Sequence, residues 1–209
     1  GSGVDFALGR VINGVTRNIT LYAQWTTTAT CIWVDLVLSV KWAICNVGAL
    51  SPIESGDYFA WGETTTKSSY SYDNYKWSND GCDTFTKYNT SSSYGTVDNK
   101  TVLELADDAA RANWGGAWRM PTDAEWTELR ENCTWTWTDD YNGTGVAGRI
   151  VTGTNGNSIF LPAAGFRIDG GFYNNGGSGL YWSSSLDTDH PYNAWCGYFY
   201  SDLIWNDSL

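Results

Sequence analysis

The sequence predicts an α+β protein in which twisted antiparallel sheets combine with two helices and long ordered loops. The helix-favouring residues Lys, Glu, Gln and Met are scarce, while Gly, Ser, Thr, Asn and Asp abound, which is typical of a chain rich in strands and loops. Short runs alternate apolar and polar residues, as strands with one buried face require. Two segments carry helix-start signals. With 209 residues, the chain suits one good-sized domain with a smaller unit beside it.

The first helix is predicted over Glu104–Asn113, where acidic residues fill the first turn and Arg111 lies near the end, as the helix dipole favours. The second is predicted to start at Pro121–Thr122. Thr122 has a Glu three residues later, which matches a capping box. One face of this helix is apolar through Trp126, Leu129 and Cys133.

The strands are predicted from short apolar runs and from alternation. Residues 33–49 supply two short strands, Gly56–Thr64 a third, and further strands follow the second helix in the runs CTWTWT, GRIVT and NSIFLPAAGF. The polar segment Thr64–Thr101 is too long for a passive connection, so we expect an ordered insertion packed by its own aromatic residues.

Charge and composition exclude several classes of partner. The chain has 12 Lys and Arg against 23 Asp and Glu, a formal net charge of −11. Nucleic-acid binding needs a basic surface, so we expect no nucleic-acid partner. No apolar run reaches the roughly 18 residues of a membrane helix, so no direct membrane insertion is expected. One His and no C-x-x-C pair predict no metal site and no cofactor.

Five cysteines lie at positions 31, 45, 82, 133 and 196. Their number is odd, so at least one thiol has no partner within the chain. If the protein is exported, a single disulfide among Cys45, Cys82 and Cys133 is compatible with the sequence.

The run NITLYAQW (residues 18–25) alternates apolar and polar residues and resembles the closing strand of the internalin-type repeat of bacterial surface proteins. Residues 1–27 are therefore interpreted as the end of such a β repeat, with a linker at Thr26–Thr30. Residues 28–209 form the second unit. The sequence opens with Gly1–Ser2–Gly3 in the middle of a repeat pattern. We therefore expect it to be part of a longer protein whose targeting signal lies outside this sequence.

The run NWGGAWRMPTDAEWTEL (residues 113–129) resembles the signature of formylglycine-generating-enzyme-like domains, which have a C-type lectin-like fold. In this motif Arg119 and Pro121 set the entry to the helix, Thr122 caps it and Trp126 buries it. These are structural roles, so the resemblance implies a fold and leaves the activity open.

The runs VDLVLSVKWAICNVGA, GDYFAWGET, SIFLPAAGFR and YWSSS resemble gut-bacterial surface and phage-tail proteins of this fold. Some of those are the variable proteins of diversity-generating retroelements, in which a reverse transcriptase randomises adenines of Asn codons near the C-terminus. Such changes cannot yield Lys, Glu, Gln, Met or Trp. Residues 1–164 contain 13 Lys, Glu, Gln and Met, and residues 165–209 contain none, where about 3.6 would be expected by composition.

The resemblance places a variable region at about 165–209, on the ligand-binding face. Residues 196, 198, 200, 202 and 204 are spaced by two, which predicts one face of a single strand. Trp cannot arise from Asn codons by adenine change, so Trp182, Trp195 and Trp205 are assigned to the scaffold together with Arg119, Pro121 and Trp126. The predicted ligand-binding set consists of Phe166, Ile168, Asp169, Phe172, Tyr173, Leu180, Asp187, Asp189, His190, Tyr192, Cys196, Tyr198, Tyr200, Asp202, Ile204, Asn206 and Asp207.

Two more specific functions stay open as alternatives: calcium-dependent sugar binding and formylglycine generation. Trp205-Asn206-Asp207 spells the W-N-D of calcium-dependent sugar-binding lectins, although the partner E-P-N or Q-P-D triplet is absent. A formylglycine-generating enzyme would need reactive cysteines near the C-terminus, and only Cys196 lies there, without the basic neighbours that create a thiolate.

The predicted function is non-catalytic recognition of a protein or glycan ligand by a hypervariable C-type lectin-like domain. The domain would belong to a secreted or cell-surface adhesin, or to a phage-tail receptor-binding protein. Members of the resembling family usually continue with a further strand after the position of Leu209, so either the sequence is truncated there or its end is not native. A missing central strand would leave an open sheet edge.

Overall fold

The computed structural model describes residues 32–209. The predicted repeat remnant at 1–27, the linker at Thr26–Thr30 and Cys31 lie outside these residues. The described chain combines few helices with several small antiparallel sheets, as the predicted α+β class requires. No helix within residues 32–209 is long and apolar enough to cross a membrane, since the longest has 10 residues.

The helices and strands are short and are joined by long connections. The helices are α1 (Ala109–Trp114) and α2 (Asp123–Asn132). The strands are β1 (Trp33–Val34), β2 (Trp42–Ala43), β3 (Thr134–Thr138), β4 (Gly148–Thr152), β5 (Ser158–Pro162), β6 (Phe166–Ile168), β7 (Gly171–Tyr173), β8 (Gly179–Leu186), β9 (Ala194–Phe199) and β10 (Ile204–Ser208). Single 3-10 turns lie at Tyr72–Asn74, Ser92–Tyr94 and Tyr141–Gly143.

The strands form two three-stranded sheets and two hairpins, all antiparallel. The sheet orders are β3–β4–β5 and β10–β9–β8, and the hairpins pair β1 with β2 and β6 with β7. Strand β10 therefore lies at an edge of its sheet. The second of the two sheets, with the β6–β7 hairpin, carries most of the predicted ligand-binding set.

Helix α2 begins where its capping box predicts. Thr122 Oγ1 accepts the main-chain N–H of Glu125 at 3.3 Å, and the Glu125 carboxylate accepts the N–H of Thr122 at 2.8 Å. The Arg119 guanidinium holds the same carboxylate at 2.8 and 2.5 Å. The carbonyl of Pro121 accepts the N–H of Ser184 at 2.7 Å. Arg119 and Pro121 thus fix the helix start against β8, as their predicted structural roles require.

Helix α1 begins at Ala109, five residues later than predicted. The side chain of Asp108 caps it by accepting a main-chain N–H of the first turn. The acidic residues before it are used in tertiary contacts, since Lys87 donates to Glu104 and to Asp107 at 2.5 Å each. Asp107 is buried and also accepts the hydroxyl proton of Tyr88 at 2.7 Å. These ion pairs hold residues 104–107 outside the helix.

The sheet β10–β9–β8 separates two hydrophobic cores. In a strand, alternate residues point to opposite faces, and the register Tyr181↔Gly197 and Trp182↔Cys196 assigns the faces. One face meets α2 in a core built of Leu36, Trp42, Trp126, Leu129, Val151, Ile159, Leu161 and Phe199. The other face meets the segment before α1 in a core built of Trp61, Tyr88, Leu103, Leu186 and Ala194.

Helix α2 approaches the sheet most closely at Gly197. A Cβ atom at this position would lie 2.7 Å from the indole of Trp126, well inside ordinary contact distance. Trp126 is buried and packs edge-on against Trp42 with ring centroids 5.0 Å apart. The absence of a side chain at Gly197 therefore lets the helix seat its largest residue directly on β9.

The strand predicted over Gly56–Thr64 is wrong, because this segment has no strand in the structure. Its Trp61 is instead a core residue whose indole N–H donates to the carbonyl of Ser183 at 2.8 Å. The long insertion after it is ordered, as predicted, by contacts among its own aromatic rings. Its pairs include Tyr75 with Phe85 at 6.2 Å and Trp77 with Tyr88 at 6.0 Å.

Candidate functional site

The predicted single strand through residues 196–204 is wrong, because the chain reverses between β9 and β10. The N–H of Tyr200 donates to the carbonyl of Leu203 at 2.9 Å and closes the turn. Ile204 pairs with Phe199, and Trp205 pairs with Tyr198. Because paired residues share a face, the even-numbered face of β9 continues as the odd-numbered face of β10.

Because of this reversal, several residues lie on the opposite face of the sheet from the one predicted. Ile204 packs against the α2 core, and the Asn206 amide donates to Asp123 Oδ1 at 2.6 Å and to Thr127 Oγ1 at 2.9 Å on the same helix. Both residues were predicted to bind ligand and lie instead on the helix side. Trp205 was assigned to the scaffold, yet it lies beside Tyr198 on the opposite face, with ring centroids 4.7 Å apart.

Two further members of the predicted ligand-binding set are buried. Cys196 is 0% exposed, and burial, with the nearby charge of Asp207, raises its pKa to about 12. A protonated, inaccessible thiol lacks the thiolate that nucleophilic chemistry requires. Asp187 is also buried. Burial raises the pKa of Asp187, but hydrogen bonds from Ser208 and from nearby main-chain N–H groups outweigh it, so the pKa lies below its ordinary value.

The W-N-D triplet is not arranged as a cation site. Asn206 and Asp207 are neighbours in β10 and therefore point to opposite faces of the sheet. The Asn206 side chain is bonded to α2, and Asp207 accepts the indole proton of Trp205 at 3.2 Å. Across residues 32–209, no three His, Cys, Asp or Glu side chains are grouped as metal ligands.

Six of the predicted ligand-binding residues line one large cleft, which we call the aromatic cleft. Its volume is about 1480 Å³, above the range of about 300–1,000 Å³ common for small-ligand sites. The defining side chains come from three separate segments of the chain: Tyr58, Tyr70, Tyr72, Phe166, Ile168, Asp169, Leu180, Tyr192 and Tyr198.

The β6–β7 hairpin forms one side of the cleft. Phe166 stacks on its register partner Tyr173 with ring centroids 5.7 Å apart. The hairpin turns at Asp169, which adopts a left-handed φ of 50°, a conformation that Asp tolerates better than most residues. Ile168, Phe172 and Tyr173 are 52%, 60% and 49% exposed. The hairpin thus presents large apolar side chains to solvent.

A second part of the lining comes from the segment around Tyr58 and Tyr70, which adjoins the hairpin and whose binding role the sequence did not indicate. Tyr70 exchanges two main-chain hydrogen bonds with Asp169, each 2.8 Å long. Its hydroxyl donates to the carbonyl of Tyr58 at 2.5 Å, and the Tyr58 hydroxyl donates to that of Ala164 at 2.6 Å. The only local signal was the concentration of Tyr in a polar insertion. The contacts span about one hundred residues of chain, so no sequence period reveals them.

The loop between β8 and β9 closes a third side. Its Tyr192 packs edge-on against Tyr94 at 5.1 Å, and its carbonyl accepts the hydroxyl proton of Tyr72 at 3.3 Å. Asp187 anchors this loop by accepting the N–H groups of Asp189 and His190 at 3.0 and 3.3 Å. Asp187 is therefore a support for the loop, and the exposed Asp189 and His190 lie at its tip.

Tyr198 leads from the cleft to an aromatic cluster at the β9–β10 turn. Tyr198, Tyr200 and Trp205 contact one another, and the two Tyr hydroxyls are hydrogen bonded. Buried Arg149 fixes the turn, since its Nε and Nη2 donate to the carbonyl of Tyr200 at 3.1 and 2.8 Å. The exposed Asp202 lies in the turn and does not line the cleft.

The other tryptophans assigned to the scaffold differ in how far they are buried. Trp126 is buried, whereas Trp182 and Trp195 are half-buried. Trp182 packs against the second core, and its indole N–H donates to the carbonyl of Phe59 at 3.1 Å. In the described part of the chain, no disulfide joins Cys45, Cys82 and Cys133 to one another.

Comparison of the chain with protein-family models, with curated proteins and with solved structures found no match. The candidate site is therefore defined by its own geometry.

Proposed function

We propose that the protein recognises a ligand, without catalysis, through the aromatic cleft. In this proposal it is a hypervariable C-type lectin-like domain of a secreted, cell-surface or phage-tail protein, and its ligand is a protein or glycan on another surface. One observation carries the proposal: Tyr, Phe and Ile side chains from three distant segments converge on one concave opening and remain partly exposed. Such rigid aromatic side chains supply contact area at low entropy cost.

The cleft also suits diversification of its C-terminal side. The β6–β7 hairpin is held by main-chain pairing and by the Tyr70–Asp169 exchange, which depend little on side-chain identity except at Asp169, whose left-handed φ of 50° favours Asp, Asn or Gly. Ile168, Phe172 and Tyr173 project outward, so their replacement costs the fold little. A retroelement that altered these codons would change the ligand while the scaffold residues stayed in place.

The binding proposal is tested with a pair of truncations. Phe172→Ala removes an exposed ring that packs edge-on against Tyr58 of the cleft lining, with ring centroids 5.4 Å apart, and Leu50→Ala removes an apolar side chain that is 72% exposed and does not line the cleft. Labelled wild-type protein is applied to glycan arrays and to bacterial and host cells. We expect Phe172→Ala to weaken binding about tenfold or more and Leu50→Ala to leave it unchanged. Equal binding by the two variants would contradict the proposal.

The diversification proposal is tested on the neighbouring DNA. We expect a near-copy of the coding region for residues 165–209, with adenines at the codons of the outward residues and a reverse-transcriptase gene beside it. Ile204 and Asn206 face α2, so the copy should match their codons without adenine changes. A genome without such a copy would contradict diversification and would leave the binding proposal intact.

A further inference from the structure

We propose that Arg167 forms an acidic-sugar subsite in the aromatic cleft, where it receives the carboxylate of a sugar such as a uronic or sialic acid at the end of a glycan. This inference rests on the proposed binding function of the cleft and names the class of its ligand. It is drawn from the placement, partners and charge of one side chain.

The guanidinium of Arg167 is held rigidly between two aromatic rings. Its central carbon lies 4.4 Å from the centroid of Phe172 and 5.1 Å from that of Tyr70. Its terminal nitrogens donate to the carbonyls of Lys67 at 3.3 Å and Ser68 at 3.0 Å. These contacts leave one hydrogen on each terminal nitrogen for an oxygen ligand. A group fixed in this way loses little conformational entropy when it binds.

The charge of Arg167 is uncompensated. Of the four other cationic side chains of the lining, three are paired with a carboxylate, as in Lys67–Glu63, Lys87–Asp107 and Arg119–Glu125, and the fourth, Lys41, lies over the ring of Trp33. Arg167 forms no ion pair with any group of residues 32–209. Its buried Nε also has no acceptor in that part of the chain. The chain has 23 Asp and Glu and a net charge of −11, yet none of the described carboxylates pairs with Arg167. An unpaired guanidinium beside a cleft favours an anionic ligand group.

The surroundings favour a sugar acid over a protein carboxylate. A specific protein partner needs a broad interface of about 1,200–2,000 Å². Arg167 instead lines a concave opening, and its neighbours there are the rings of Tyr70 and Phe172. The guanidinium covers one face each of Phe172 and Tyr70, so a sugar ring would lay its C–H face on a neighbouring aromatic ring of the cleft, whose faces are electron-rich. Its hydroxyl groups can then meet the polar rim at Ser68, which is exposed. The carboxylate of the sugar would then reach the free hydrogens of the guanidinium.

The test uses the full chain on an array that pairs each acidic glycan with its neutral counterpart: sialylated with desialylated lactosamine, and glucuronate-terminated with glucose-terminated chains. The same array carries a Glu-rich peptide. We compare wild type with Arg167→Gln, Arg167→Lys and Arg111→Gln. The last variant makes the same change of net charge outside the cleft lining. Denaturation midpoints of all variants show whether the fold is retained.

We expect wild type to bind acidic glycans about tenfold or more tightly than their neutral partners. Arg167→Gln should abolish this preference, Arg167→Lys should keep part of it, and Arg111→Gln should keep all of it. Equal binding of acidic and neutral glycans, unaffected by Arg167→Gln, would overturn the subsite. Arg167-dependent binding of the peptide alone would overturn the choice of a sugar.

Failure of the subsite can be told apart from failure of the proposed function. If no glycan on the array binds, the acidic-sugar subsite is overturned. The cleft itself is then judged by cell binding of Phe172→Ala against Leu50→Ala. Loss of cell binding in Phe172→Ala alone would preserve the cleft as the binding surface.

Discussion

Substitution of Gly197 by Ala should destabilise the protein by forcing α2 away from β9. The new Cβ would lie 2.7, 2.8 and 2.9 Å from three carbon atoms of the Trp126 indole, whereas carbon atoms pack best at about 3.5–4.0 Å. The indole has little room to retreat, because Trp126 is 4% exposed and its edge contacts Trp42. The helix or the strand must therefore shift by several tenths of an ångström.

The size of the effect follows from two opposing contributions. Overpacking a core by one methyl group costs about 1–3 kcal/mol. Replacing Gly by Ala restricts the unfolded chain and returns about 0.4–1 kcal/mol. We therefore expect a net loss of about 1–2 kcal/mol in the free energy of unfolding, or a fall in Tm of about 2–8 °C for a domain of this size.

The assay is urea denaturation followed by tryptophan fluorescence, with Gly177→Ala as the matched control. Gly177 has no crowded neighbour, since a Cβ atom there would meet its nearest atom, the carbonyl oxygen of Asn174, at 3.6 Å, so Ala should be neutral or stabilising there. In a Trp126→Phe background, which removes the crowded part of the indole, Gly197→Ala should cost less. If Gly197→Ala is as stable as Gly177→Ala in the wild-type background, α2 does not seat on β9 as described.

Three other changes probe the supports of the site and the buried thiol. Arg149→Met removes both donors to the carbonyl of Tyr200 and should cost about 1.5–3 kcal/mol. It should also speed amide hydrogen exchange in the turn, and unchanged exchange would show that the turn holds without Arg149. Burial raises the pKa of Asp107, but hydrogen bonds from two lysines and a tyrosine outweigh it and lower the pKa below its ordinary 3.8. The stability it contributes is therefore present above that value and lost as pH falls through the lower folded pKa. The urea midpoint should drop as pH falls below about 4, and Asp107→Asn should lower the midpoint at pH 7 and flatten its pH dependence. An equal acid-induced drop in both proteins would contradict this role. Cys196, with a pKa of about 12, should resist iodoacetamide at pH 8 while exposed Cys82 reacts, as read by peptide mass spectrometry. Equally rapid modification of both would refute the burial of Cys196.

Local signals predicted the parts of the fold that local contacts decide. The capping box of Thr122 and Glu125 placed the start of α2 to the residue, because both partners lie within one turn. The start of α1 was misplaced, because Asp107 bonds to lysines far away in sequence. The preference of acidic residues for the first turn of a helix does not distinguish an acid that caps the helix from one held in a tertiary ion pair.

The faces of β9 and β10 show the same limit within the site. The alternation of residues 196–204 continues unbroken through a tight turn, so its period is the same for one strand and for a hairpin. Ser201 and Asp202 are turn-forming residues and were the one available sign of reversal. A two-strand interpretation would have moved Trp205 to the binding face and Ile204 to the core.

The cleft itself could be predicted only on its C-terminal side. Phe166, Ile168, Leu180, Tyr192 and Tyr198 were identified from the sequence and line it. Of the tyrosines that complete the lining, Tyr70 and Tyr72 come from the insertion, which is predicted only to be ordered, and Tyr58 comes from the segment predicted as a strand. Their positions depend on long-range main-chain bonds between the insertion and β6–β7, which leave no periodic trace in the sequence.

Hydrogen–deuterium exchange of the protein with and without a ligand from the array or cell screen tests the aromatic cleft most directly. We expect slowed exchange in the three segments that build it: residues 58–72, 166–173 and 187–198. Exchange in β3 and β4 should be unchanged, because these strands lie in the other sheet and contribute no residue to the cleft lining. Protection confined to β3 and β4, with none in the three cleft segments, would show that the ligand binds elsewhere.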